Sequence, residues 1–181
     1  YQMEKLWSPE QQIPYENLIE DLRLTESCLG GLTGPNPTDR ANVSSKHHVI
    51  TDAQGIPLAV LLTGANAHDV TQALLLVEAI PPLKGKRGRP RRRPREWQGD
   101  RGYDSQPLRR QLRRRHISPV LARRGEPHGS GLGVTRWVVE RTLSWLHQFR
   151  RLRVRFERRG DIHKAFLTIG CVIICSRFLF Q

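Results

Sequence analysis

The chain has 181 residues, enough to bury the core of one domain, and carries 30 Lys plus Arg against 17 Asp plus Glu, a net charge of +13 with a pI near 10.9. Such an excess calls for a polyanionic partner, nucleic acid first and an anionic membrane surface second, and a basic RNA-binding structural protein would show the same charge. The three cysteines, Cys28, Cys171 and Cys175, are odd in number and form no C-x-x-C pair, which excludes a disulfide framework and a cysteine zinc site and fits a reducing interior.

Residues 1–17 are weakly patterned, broken by Trp7, Pro9 and Pro14. Residues 18–24 are brief and partly alternating, and read as a first strand carrying Asp21. The stretch 30–40, rich in Gly, Pro, Asn and Thr, reads as a loop. Residues 46–52 and 56–63 are strand-like runs joined by Ala53-Gln54-Gly55, a hairpin. The second run is apolar on both faces, as in a strand covered by helices. Residues 69–80 have helical spacing behind Asp69 as N-cap, and Pro81-Pro82 stop the helix.

Residues 84–95 form a basic segment in which eight of twelve residues are Lys or Arg. Its charge and prolines prevent a packed core, so it reads as an exposed loop that touches phosphates. Residues 96–105 then read as a short strand ending on Asp100, a glycine turn, and a helix start capped by Asp104 or Ser105. An acid at a strand end is rigidly held yet open to solvent. An arginine-laden helix over 106–115, a strand over 117–122 and a flexible loop over 123–133 follow. Residues 134–151 predict the longest clear helix, with Arg136 and Glu140 four apart on one face. Asp161 is expected to cap a last apolar helix running towards Phe180, whose longest uncharged run, 165–176, is too short to span a bilayer. Leading strands followed by strand–helix alternation predict an α/β mixed sheet with helices on both faces.

Three acids stand out: Asp21 on a strand, Asp100 at a strand end and Glu140 on a helix. Carboxylates from different elements suit a hard divalent cation, and two such ions can activate a water or hydroxyl at a phosphodiester. Asp52, Asp69 and Asp104 compete for the same role, and Glu140 could equally be an ordinary ion-pair partner of Arg136. His47, His48 and His68 raise a zinc reading. Neighbouring strand residues point to opposite faces, however, and no close His or Cys partners follow in sequence. Tyr103 as a covalent nucleophile would need a surrounding set of Arg and His that is not recognisable.

The segments TGPNPTDR (33–40), SKHHVITDAQGIPL (45–58), TGANAHDV (63–70), GRPRRRP (88–94), GDRGYDS (99–105) and RWVVERTLSWLHQFRRLRVRFERR (136–159) occur in this order. Together they resemble the DDE transposases of bacterial insertion sequences, specifically the IS-five group of the IS-four-like superfamily, over about residues 21–179. The resemblance implies an RNase H-like fold and cleavage and strand transfer of double-stranded DNA at terminal inverted repeats, dependent on Mg²⁺ or on Mn²⁺ in its place. It implies a homodimer on DNA, no membrane association, and a bacterial cytoplasmic, nucleoid-associated setting. Asp100 matches the family's second acid, Glu140 the third and Arg136 the arginine that precedes it. Counting back from the Gly30-Gly31 pair places the first acid at Asp21, where Leu22-Arg23 replace the small residues usual after it. The family's lysine seven residues after the glutamate is His147 here, and its tyrosine before the arginine is Gly133.

The expected organisation is a remnant of an N-terminal region at 1–20 and a catalytic domain at 21–181 with a basic loop at 84–95. The expected DNA contacts are Lys84, Lys86, Arg87, Arg89, Arg91, Arg92, Arg93, Arg95, Arg136, Arg141 and His147. The rival expectation is a decayed, transposase-derived protein that binds DNA without cutting it.

Overall fold

The structure, a computed structural model, describes residues 17–27, 30–38, 40–83, 90, 93–123 and 133–179, with the backbone alone for 17–24, 26–27 and 133–136. The strands are β1 (Asn17–Ser27), β2 (Gly34–Pro35), β3 (Val43–Thr51), β4 (Pro57–Gly64), β5 (Glu96–Gly99), β6 (Ser118–Leu121) and β7 (Val154–Arg155). The helices are α1 (Asp69–Glu78), α2 (Gln106–Arg114), α3 (Gly133–Gln148), α4 (Arg150–Arg153) and α5 (Gly160–Leu179).

One mixed sheet organises the chain. β3 lies antiparallel between β1 and β4, while β1 pairs parallel with β5, and β5 parallel with β6. The two-residue strand β2 extends the β4 edge, and β7 adds to the end of β1 beside β5. The expected mixed sheet flanked by helices is therefore present. β2 falls inside the stretch expected to be loop, and β7 has no counterpart among the expected strands, because two residues carry no periodicity.

Pleating divides the core into two layers. Ile50 packs with Ala73, Leu76 and Val77 of α1, Trp97 of β5, and Leu108 and Leu112 of α2. Its neighbour Val49 points the other way, into Leu143 and Leu146 of α3, Leu152 of α4, and Leu167, Cys171 and Ile174 of α5. The strand buried along nearly its whole length is β3, not the more apolar β4, which lies at the edge and is half-buried. Centrality in the sheet outweighs composition here.

Burying β3 requires partners for its polar side chains. Lys46 Nζ donates to Asp69 and to the Ala67 carbonyl, each at 2.8 Å. His48 Nε2 lies 2.8 Å from Thr63 Oγ1, and Arg155 donates to Ser45 Oγ at 2.7 Å. The hairpin turn is closed by Asp52, whose Oδ1 accepts from the Gln54 and Ile56 amides at 2.9 Å, and by Gly55 at a φ of +89° that other residues adopt poorly.

Arg155 is 1 % exposed and clamps three segments: it donates to the Gly31 and Leu32 carbonyls, to Ser45 Oγ and to the Glu157 carbonyl. Arg155→Met removes the charge but strands these acceptors. We expect a loss on the order of 3 kcal/mol in urea unfolding. A variant within 0.5 kcal/mol (about the effect of an ordinary surface change) would show that the clamp is dispensable.

The expected caps are corrected. His68, not Asp69, is the N-cap of α1, since the Asp69 carboxylate is drawn to Lys46 of β3. Ser105 occupies the N-cap position of α2 without a side-chain bond, and Asp104 accepts instead from Arg109 Nε at 2.9 Å. Asp161 lies within the first turn of α5 and pairs with Arg159. The long helix expected over 134–151 breaks at Phe149, which is the N-cap of α4.

Helix α5, at 20 residues and a mean hydropathy of 1.6 over 18 of them, is long and apolar enough to cross a membrane by length and composition. In this fold its Gly160, His163, Leu167, Gly170, Cys171 and Ile174 side is buried against the sheet, and Cys171 has its thiol pushed up to about 12 by that burial. Cys171 packs as a small hydrophobe.

Candidate active site

Asp100 follows the last residue of β5 in extended backbone, at φ −69° and ψ 167°. Its Oδ1 accepts from the Arg101 amide at 2.6 Å and caps a single 3-10 turn, Arg101–Tyr103. The turn is anchored from the other side. Tyr103 is 1 % exposed and meets Trp97 edge-on, with ring centroids 5.5 Å apart and planes at 84°. A tyrosine so buried is a wedge under the turn, which removes it as a nucleophile.

The register relates Asp100 to Asp21. Leu18 pairs with Trp97 and Ile19 with Gln98 in the parallel β1–β5 ladder. The ladder ends at this pair, with position 21 and Asp100 each two residues beyond it along their own chains. Position 21 also pairs with Val49 of β3, whose side chain enters the layer under α3. Trp97 faces the α1–α2 layer, so alternation turns Gln98 and Asp100 to the α3 side. Glu140 is an exposed residue of α3, the helix that packs over β1. All three acid positions therefore belong to one side of the sheet.

The three competing acids have other work. Asp52 closes the hairpin turn, and burial pushes its carboxyl up while the Ile56, Gln54 and Gly55 amides pull it down. Asp69 is paired with Lys46, and Asp104 with Arg109 at 2.8 Å.

An oxygen-only set of carboxylates, with Glu140 open to solvent, has the donor chemistry of a hard divalent cation. Among the described residues no three His, Cys, Asp or Glu side chains group as a metal cluster, and the side chain of Asp21 lies outside them.

The expected DNA contacts divide. Lys84, Lys86, Arg87, Arg89, Arg91 and Arg92 lie outside the described residues, as does the side chain of Arg136, while Arg93 and Arg95 are exposed. Arg141 is half-buried and engaged by its own fold: it donates to the Gln54 carbonyl at 2.6 Å and lies over the rings of Trp137 and Trp145 at 4.7 and 4.8 Å. His147 also turns inward, its ring 5.8 Å from that of His47.

A buried histidine network was not legible in sequence. His47 Nε2 meets His163 Nε2 at 2.8 Å, and His163 Nδ1 meets Glu157 at 3.2 Å. If the Glu157 carboxylate accepts from His163 Nδ1–H, the neutral His163 Nε2 is an acceptor and His47 must donate. One shared proton satisfies the pair, and a second would set two donors face to face. Desolvation first, then the neighbouring histidines and Arg155, holds His47 well below its ordinary range. The partners are 116 residues apart, so no local spacing signals them.

Similarity to known proteins agrees with this geometry. A family model described as transposase DDE domain matches residues 33–175, a span that holds Asp100 and Glu140 and begins after Asp21. A Burkholderia cepacia protein, named as a candidate transposase for insertion sequence element IS402, is 66% identical over 143 residues, covering 79% of this chain and 68% of that protein. Among solved structures, the piggyBac transposase synaptic complex with hairpin DNA superposes with a TM-score of 0.57 at 12% identity, over 91% of this chain and 47% of that one. The simian T-cell lymphotropic virus intasome in complex with PP2A regulatory subunit B56 gamma gives 0.51 at 13% identity, over 88% of this chain and 48% of that one. The chain thus spans about half the length of each, and at these identities the likeness establishes the RNase H-like fold alone. Two-thirds identity to an insertion-sequence protein and a family match over most of the sequence establish more: this chain belongs to the DDE transposase family of insertion sequences.

Proposed function

We propose that the chain carries out cleavage and strand transfer of double-stranded DNA at the terminal inverted repeats of its element, with Asp21, Asp100 and Glu140 as ligands for Mg²⁺ or, in its place, Mn²⁺. The observation that supports this reading is the sheet register: position 21 pairs with Val49, which faces the α3 layer, and β1 pairs parallel with β5, the strand that leads into Asp100. When bound, such cations lower the pKa of a water or hydroxyl and neutralise charge at the phosphodiester. The chain's own part is to hold the carboxylates in place. The Arg101 amide and the buried Tyr103 fix the Asp100 turn, and the packing of Val138 and Val139 fixes the helix that presents Glu140. The reading extends to a homodimer on DNA, at the bacterial nucleoid in the cytoplasm.

The test is nicking of a labelled duplex carrying the terminal repeat, with Mg²⁺ or Mn²⁺. Nicking that Asp100→Asn and Glu140→Gln abolish supports the reading. Binding without nicking would select a DNA-binding protein that has lost the reaction.

In the same reading, residues 84–95 and Arg136 bind phosphates, supported by the eight cations of that segment and the exposure of Arg93 and Arg95. Neutralising the segment is expected to lower the slope of log K against log salt by about 0.9 for each phosphate the chain no longer neutralises. An unchanged slope would remove the segment from the interface.

A further inference from the structure

We propose that the outward face of α2 is a second phosphate-binding surface, one that takes the backbone of duplex DNA. This rests on the reading that the chain acts on DNA. Helix α2 is docked by Leu108 and Leu112, which are buried in the layer with α1. Two of its arginines belong to that docking. Arg109 reaches Asp104 at 2.9 Å and the Leu121 carbonyl at 3.0 Å, and Arg115, just past the helix, pairs with Glu78 at 2.8 Å.

The other three, Arg110, Arg113 and Arg114, are exposed. None of their side chains has a hydrogen bond or ion pair among the described residues, and the helix contains no acid. They stand at i, i+3 and i+4, so their side chains share one patch with Cβ atoms about 5–6 Å apart. Like charges at that spacing repel and destabilise a helix. Arg113 and Arg114, in the last turn, are partly compensated by the negative end of the helix dipole. Arg110, in the middle, is not.

An anion would relieve the repulsion, and the geometry points to a chain of phosphates. The three residues span about 6 Å of helix axis. Duplex DNA carries about one charge per 1.7 Å with both strands counted, so a comparable length presents roughly three to four phosphate charges over its two strands. Each guanidinium offers a planar fork of donors that matches phosphate oxygens, without reading base sequence.

The patch is also separate from the acids. Helix α2 lies in the α1 layer, whereas positions 21, 100 and 140 belong to the α3 side. The duplex held here is therefore a different stretch from the one at the scissile phosphodiester. Because Arg109 ties the start of α2 to Asp104, four residues after Asp100, the two stretches would be held in fixed relation.

The test is a salt titration of binding to a 30-bp duplex with no terminal repeat, in EDTA, so that it reads nothing of the cleavage reaction. The wild-type chain is compared with Arg110→Gln/Arg113→Gln/Arg114→Gln and with the corresponding triple lysine variant. The glutamine variant is expected to lower the salt slope by about 2.7, equivalent to losing about 40-fold of the affinity change between 50 and 200 mM salt. The lysine variant, which keeps the charges, should retain the wild-type slope. A glutamine variant within one unit of the wild-type slope overturns the proposal and leaves the cleavage reading intact. A wild-type chain that does not bind this duplex also overturns the proposal, while the cleavage reading stands or falls separately on nicking of the end-bearing duplex with Mg²⁺.

Discussion

Asp100→Asn and Glu140→Gln are each expected to reduce nicking of an end-bearing duplex by about 10³-fold or more, since catalytic residues that act as a unit fail together when one is lost. Both changes are nearly isosteric. An asparagine at 100 can still accept the Arg101 amide, now at 2.6 Å, so the 3-10 turn and the wedge of Tyr103 under it should survive. Glu140 is exposed and contributes little to the core. Urea midpoints near wild type would accordingly separate lost chemistry from lost fold. Calorimetric titration with Mn²⁺ supplies a readout that needs no turnover: each variant should bind the ion more weakly. Asp21→Asn tests the first acid in the same two assays. By contrast, Asp52→Asn and Asp69→Asn should lower stability and spare nicking, because those carboxylates close a turn and hold Lys46. Wild-type nicking by Asp100→Asn would sink the assignment of the site.

Acid is expected to unfold this chain well above the range in which carboxylates titrate. His48 is held down to about 4 by burial, with Lys46 acting in the same direction and Asp69 against it. His47 is likewise held well below its ordinary range by burial and by His163, His147, His48 and Arg155, while His163 is lowered by burial and Arg155 against the pull of Glu157. In the unfolded chain these rings titrate near 6.5. Below that value the unfolded state binds more protons than the folded one. Stability is therefore full above pH 6.5 and drains as pH falls towards 4.

His48 alone would cost about 2.5 kcal/mol at pH 4.5, and a urea midpoint would shift by on the order of 1 M. Asp52, whose carboxyl is raised by burial, works in the opposite direction. Glu157, held below its ordinary range by Arg151 and His163 against its own burial, adds to the loss only below the histidine window. Urea unfolding at pH 7.5, 6, 5 and 4.5 measures the effect. A stability that stays flat to pH 4.5 would mean that the histidines reach solvent without unfolding, contrary to the burial of His47, His48 and His163.

Much of the fold was legible where information is local. The hairpin across Gly55 announces itself by two strand-like runs and a turn residue that tolerates positive φ. The strand-to-turn placement of Asp100 likewise needs only ten residues, and the ordered motifs carried the family. The caps failed for a different reason. Asp69, Asp104 and Asp161 are good capping residues in isolation, yet each found an arginine or lysine, and a charge-assisted bond outweighs a neutral amide.

By itself the sequence determined the strand and helix types, the family, and which acids were candidates, because each depends on residue chemistry and short-range spacing. Only the tertiary structure decided which of those acids share a side of the sheet. That depends on the antiparallel pairing of β1 with β3 and its parallel pairing with β5, two registers set by partners tens of residues away. It also decided that Arg141 is tied to the Gln54 carbonyl, that His147 turns towards His47, that β3 rather than β4 is buried, and that His47 meets His163. The physical reason is common to all of these. Burial and pairing are properties of what lies across the sheet, and a strand's own residues do not encode what that neighbour is.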